Sequence, residues 1–131
     1  MPGKAVYDTR VFIEYFYSGD PETLRRLRDD LLATPGRLVS AVTVYETHRI
    51  VYTREGRETA RHRTRIMERD FQVAPLDAQA AADAAEISAA YGTPLADGAI
   101  AAAALRHGCP VVTDDPHFKT IRGLKTRWPA S

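Results

Sequence analysis

VVTDDPHF, residues 111–118, joins two valines and a threonine to paired aspartates and a proline. A short β-branched run bounded by turn residues reads as a buried strand. Two carboxylates at its end repel each other, and each raises its neighbour's pKa unless a cation or hydrogen-bond donors answer the charge. In open parallel sheets, ligands bind outside the carboxyl ends of the strands. If Val111–Thr113 is such a strand, Asp114 and Asp115 lie on a binding rim. What else reaches that rim then becomes the question.

Outward from this segment, strands and helices alternate. LADGAIAAAALRHG, introduced by Thr93 and Pro94, reads as a helix closed by Gly108 in the C-terminal position glycine favours. Asp77 caps an alanine-rich helix that runs to about Tyr91, and Phe71–Ala74 precedes it as a strand. Gly56 separates the Arg57–Arg69 helix from one that carries Val42, Tyr45, Glu46 and Ile50, capped by Ser40 after a Leu38–Val39 strand. Asp20, Pro21 and Glu22 form a helix start; Leu24, Leu27, Leu31 and Leu32 give that helix an apolar stripe, and Pro35 and Gly36 stop it. Val11–Phe16 reads helical, after an Ala5–Tyr7 strand ending at Asp8. Leu124–Arg127 is a weak fifth strand. The pattern predicts an α/β fold, a three-layer α/β/α sandwich around a mainly parallel sheet of four to five strands, in a single domain over residues 1–131.

Composition constrains the partners. Eighteen Lys and Arg against seventeen Asp and Glu leave a net charge of +1, so a case for nucleic acid has to come from local clustering. The lone Cys109 excludes an internal disulfide, fits a reducing compartment and reads as a small buried filler. No apolar run reaches membrane-spanning length, and the N-terminus lacks a signal-peptide core. A cytoplasmic protein is expected.

The acids fall on the predicted rim. Asp8 follows the first strand, Glu46 lies in the second turn of the helix after the second, and Asp114 and Asp115 follow the fourth. Asp97 starts a helix and joins them if that helix points the same way. Singly, each has a plainer reading: Asp8 as a helix cap, Asp97 as a helix-dipole carboxylate. Glu46, in an otherwise apolar segment, needs a partner. Carboxylates without Cys or paired His favour Mg2+ or Mn2+ over Zn2+, and the matching chemistry is metal-assisted phosphoryl or phosphodiester transfer.

With these residues in place, the sequence resembles the PIN-domain ribonucleases, and among them the VapC toxins of type II toxin–antitoxin systems. VYDTRVFIEYF resembles the family's opening D-T-S-x-L-I motif, SAVTVYETHRI its S-x-x-T-x-x-E segment, PLADGAIAAAAL its A-D-x-x-I-A-A-x-A helix, and VVTDDPHF its V-T-x-D-x-x-F segment. The resemblance implies a PIN-like sandwich and an endoribonuclease dependent on Mg2+ or Mn2+, with water activated by the metal attacking the RNA phosphodiester. Asp8, Glu46 and Asp97 would be ligands, completed by Asp115 at the T-x-D offset from Thr113; Asp114 occupies the variable position and stays the unresolved member. Thr9 and Thr113 would orient the first and last motif loops. A small VapB-like antitoxin and a second copy of the toxin, in a homodimer, are the implied partners. Arg10 stands where the family usually has Ser, and Gly98 where Ala is common.

Arg57, Arg61, Arg65 and Arg69 recur at four-residue spacing, a row suited to RNA or antitoxin and equally to a solvated face. Arg10 is a further candidate contact. Tyr15, Phe16 and Tyr17 read as core or dimer packing, His117 as a surface turn residue, and His48 has no assigned role. The competing functions are a metal-dependent phosphatase, which wants a second acid close behind Asp8 or a well-placed late lysine, and a non-catalytic PIN-like binding module, which predicts a lost carboxylate.

Overall fold

The structure, a computed structural model, describes residues 3–129. Met1, Pro2, Ala130 and Ser131, at the ends of the expected 1–131 domain, lie outside the described residues. The elements in chain order are β1 (Lys4–Tyr7), α1 (Thr9–Tyr17), α2 (Pro21–Ala33), β2 (Gly36–Ser40), α3 (Ala41–Glu55), α4 (Arg57–Asp70), β3 (Gln72–Ala74), α5 (Ala78–Tyr91), α6 (Leu95–His107), β4 (Val111–Val112) and β5 (Thr126–Arg127), with a 3-10 turn over Pro116–Thr120.

Ala5, Val6 and Tyr7 of β1 are fully buried, which a strand achieves only with a layer on each face. Side-chain alternation divides them. Ala5 and Tyr7 share one core with Val11 and Phe12 of α1, Leu27 of α2 and Met67 of α4. Val6 shares another with Ile100, Ala101 and Ala104 of α6 and with Phe118. The three-layer sandwich follows directly.

The sheet has the order β3-β2-β1-β4-β5, and every pairing is parallel. The expectation of a mainly parallel sheet of four to five strands sharpens to five strands, all parallel. From β1 the chain builds outward through β2 and β3, then crosses back to place β4 and β5 on the other side. The crevice at the carboxyl ends of β1 and β4 is thus the point where the winding reverses, the site at which such sheets bind ligands.

The predicted caps form. Asp20 accepts from the N–H groups of Glu22 and Thr23, Ser40 from Val42, and Asp77 from Ala80. Gly108 closes α6 at φ 62°, a left-handed conformation that favours glycine. Boundaries differ where pairing or packing decides. Gly36 both stops α2 and opens β2, since Gly36 and Arg37 pair with Lys4 and Ala5. Phe71 leaves the expected third strand, closes α4, and sets its ring 5.1 Å from Phe12 and 5.6 Å from Tyr7. The turn carrying Phe118 went unanticipated; Phe118 is buried there and pins the loop after β4 to the second core.

Candidate active site

Asp8 follows β1 directly and is only 5% exposed. It occupies the N-cap position of α1 without making a side-chain cap hydrogen bond, although the Thr9 N–H lies near enough to exert a weak pull. The plain capping role is therefore not what its carboxylate does. Instead Oδ2 accepts from the Thr113 hydroxyl at 2.7 Å. Burial, the largest influence, raises its pKa to about 6; the Thr113 bond opposes this, and the charges of Asp97 and Glu46 add to it.

Glu46 has the partner its apolar segment called for: Oε1 accepts from the Thr9 hydroxyl at 2.7 Å. Asp97, in the first turn of α6, is half-buried. Burial first, then the charges of Asp115 and Glu46, push its pKa upward, with His117 pulling the other way. Asp8 lies within reach of the charges of Asp97 and Glu46, and Asp97 within reach of those of Asp115 and Glu46, at the carboxyl ends of β1 and β4. Asp97 does join the rim.

The paired aspartates separate. Asp114 is held by Arg10, whose Nε and Nη2 reach Oδ1 and Oδ2 at 3.0 and 2.9 Å. Asp115 faces Asp97 electrostatically and opens the 3-10 turn, accepting from the His117 N–H at 2.9 Å. Thr113 links the segments, because its oxygen also accepts from the Asp115 N–H at 3.0 Å. Thr9 and Thr113 thus each hold an acid, more directly than orienting a loop. His117 Nδ1 lies 3.0 Å from Asp115 Oδ1 while its side chain is 79% exposed; it is a surface turn residue, yet one that touches the acids.

Among the described residues, no three His, Cys, Asp or Glu side chains are drawn close enough to make a ready cation cage. Like charges repel, and Asp8, Glu46 and Asp114 have each taken a hydroxyl or a cation of their own. The donor set still fits a hard divalent ion: carboxylate oxygens only, two of them destabilised as anions by their surroundings, in the open arrangement Mg2+ tolerates when waters and phosphate complete its shell.

The basic row behaves differently. Arg57, Arg61 and Arg65 are exposed on α4, opposite its buried Ala60 and Met67, and none meets an acid of the crevice among the described residues. Arg69 pairs with Asp70. Arg63, which the spacing did not single out, lies over the Phe16 ring at 4.5 Å and bonds Glu55 at 2.8 Å. Phe16 packs against the first core, as expected, whereas Tyr15 is exposed. Gly98, which stands where Ala is common, is required by packing: an added Cβ would meet Ala84 O at 2.7 Å and Ser88 Oγ at 2.6 Å.

Beside Glu46, Tyr45 (64% exposed) and Leu95 (60%) flank a hollow of about 540 Å³ lined also by Val42, Leu76 and Pro94. It continues along α3 past Tyr52. Periodicity could have found this face, since an exposed aromatic in the turn that bears the acid breaks the usual polar exterior.

Residues 5–124, nearly the whole chain, match the PIN domain. The chain belongs to the PIN domain family. Solved PIN-like neighbours share its fold. A toxin–antitoxin complex from Klebsiella pneumoniae has a chain 24% identical, with a TM-score of 0.73 and 95% of this chain and 97% of that one covered. FitAcB from Neisseria gonorrhoeae matches at 25% identity with the same TM-score and coverage. The Mycobacterium tuberculosis toxin VapC20, described as cleaving the sarcin–ricin loop, matches at 18% identity and a TM-score of 0.68, over 82% of this chain and 86% of that one. No curated protein sequence shows significant similarity.

Proposed function

We propose that this PIN domain, read as one unit over residues 1–131, is a Mg2+- or Mn2+-dependent endoribonuclease and the toxin of a VapBC-type toxin–antitoxin pair. The observation that carries the reading is the buried Asp8 carboxylate, held by Thr113 and under the charges of Glu46 and Asp97, with Asp97 in turn under that of Asp115, at the point where the sheet's winding reverses. Asp8, Glu46, Asp97 and Asp115 would hold the ion, which when bound supplies water activation and charge neutralisation at a phosphodiester. The chain's own part is positional. Thr113 fixes Asp8, Thr9 fixes Glu46, and the Asp115 N–H is tied to the same Thr113 oxygen. All three motif loops then keep one geometry, as an in-line reaction requires.

The expected partners have support of their own. The Klebsiella neighbour is a toxin–antitoxin complex and VapC20 is described as cleaving an RNA loop, which supports an antitoxin and an RNA substrate here. The exposed Tyr45, Tyr52, Leu76 and Leu95 face supports a homodimer, since contiguous apolar surface marks interaction sites. The Arg57, Arg61 and Arg65 row, free of ion pairs among the described residues, supports contact with RNA or the antitoxin. No described helix is long and apolar enough to cross a membrane, and a cytoplasmic toxin is the reading we adopt. The test is Asp8→Asn. We expect metal-dependent RNA cleavage to fall by 100-fold or more, on the order of 3 kcal/mol, and growth arrest on expression to disappear. Unchanged cleavage and unchanged toxicity would sink the assignment.

A further inference from the structure

We propose that Arg10, braced by Asp114, is the residue that receives an RNA backbone phosphate beside the acidic crevice. The inference rests on the nuclease reading above and goes further by naming the cation that lets a polyanion approach four carboxylates.

Three observations lead to it. Arg10 is fixed in both directions: α1 carries it two residues after Asp8, and Asp114, across 104 positions of chain, grips Nε and Nη2 in a two-pronged pair. That pair leaves Nη1 without a hydrogen bond among the described residues, on a side chain 54% exposed. Exposed ion pairs contribute little to stability, so folding alone does not account for the arrangement. Finally, the pair cancels the Asp114 charge while leaving Asp8 within electrostatic reach of the guanidinium. Arg10 is thus a cation fixed on the rim within reach of the crevice's charge, with the N–H groups of Nη1 left to meet a phosphate oxygen.

The experiment measures binding of a single-stranded RNA oligonucleotide of mixed sequence to the full-length chain across a salt series, with Ca2+ replacing Mg2+ to slow cleavage. Wild type, Arg10→Ala, Arg10→Lys and Asp114→Asn are compared, each first checked for an unchanged melting temperature. If Arg10 meets phosphate, Arg10→Ala weakens binding about tenfold and lowers the slope of log affinity against log salt by roughly one. Arg10→Lys restores the slope but only part of the affinity. Asp114→Asn keeps the cation, so it keeps the slope and loses less affinity than Arg10→Ala. A purely structural pair predicts otherwise: Arg10→Ala and Asp114→Asn lose affinity equally with no change of slope, and that result would overturn the proposal. So would wild-type affinity in Arg10→Ala alongside normal cleavage, which leaves the nuclease reading standing. If the wild type neither binds nor cleaves RNA, the nuclease reading fails and takes this one with it.

Discussion

At neutral pH Asp8 is an anion where an anion is disfavoured, buried beside Asp97 and Glu46. Its pKa, raised from an ordinary 3.8 to about 6, means the folded protein holds a proton that the unfolded chain releases. The sign follows from linkage: the contribution is fully present below about pH 4 and lost as pH climbs through about 6, costing roughly 3 kcal/mol above that. Asp97, also raised, acts in the same direction. Metal-free protein should therefore lose stability from pH 4 to pH 6.5, and saturating Mg2+ should restore it. Denaturant unfolding with EDTA, and with Mg2+, tests this; the Asp8→Asn variant should show a much flatter profile. A wild-type stability that rises over this window in EDTA would refute the origin proposed for the shift. The division between Asp114 and Asp115 belongs to the same scale. The T-x-D spacing pointed to Asp115, but that Arg10 pairs with Asp114 depends on a contact spanning 104 positions, which no local pattern encodes.

Elements show where propensity and packing part company. The caps at Asp20, Ser40 and Asp77 were legible because capping is local chemistry, decided within three residues. Gly98 was not. By propensity alone, alanine there would favour α6 by about 1 kcal/mol. The constraint comes from α5, whose Ala84 carbonyl would sit 2.7 Å from a new Cβ. Backbone cannot yield as a side-chain end can. Gly98→Ala should therefore destabilise the protein by about 1–3 kcal/mol, read as a lower melting temperature, and shift α6, which carries Asp97 one residue earlier. A neutral or stabilising result would show that α5 and α6 separate easily. Strand ends were misread for a related reason: β2 starts at Gly36 because its neighbour β1 starts at Lys4, a fact about register and not about composition.

On the scale of the whole molecule, the rim is held together from behind. Tyr7, immediately before Asp8, donates its buried hydroxyl to Asp30 Oδ1 at 2.6 Å. Arg127 of β5 reaches both Asp30 oxygens at 2.9 and 3.1 Å and Thr34 Oγ1 at 3.1 Å. One α2 carboxylate thereby couples the central strand to the edge strand. The coupling passes to the site, since the Thr113 N–H donates to the Arg127 carbonyl at 2.9 Å and the Asp8 N–H to that of Val112 at 3.1 Å. Asp30, at 12% side-chain exposure, sits where removing one partner strands the others. Asp30→Ala should cost roughly 2–4 kcal/mol by leaving a part-buried guanidinium and a buried phenol unpaired. The exposed Arg69–Asp70 pair gives the control: Asp70→Ala should change stability by less than about 0.5 kcal/mol. Both are read from denaturant midpoints, and equal losses in the two variants would contradict the network. Its consequence for the site is sharper still. If β5 sets the height of Thr113, Asp30→Ala should also lower metal-dependent cleavage per folded molecule, while a surface change such as Asp70→Ala leaves it intact.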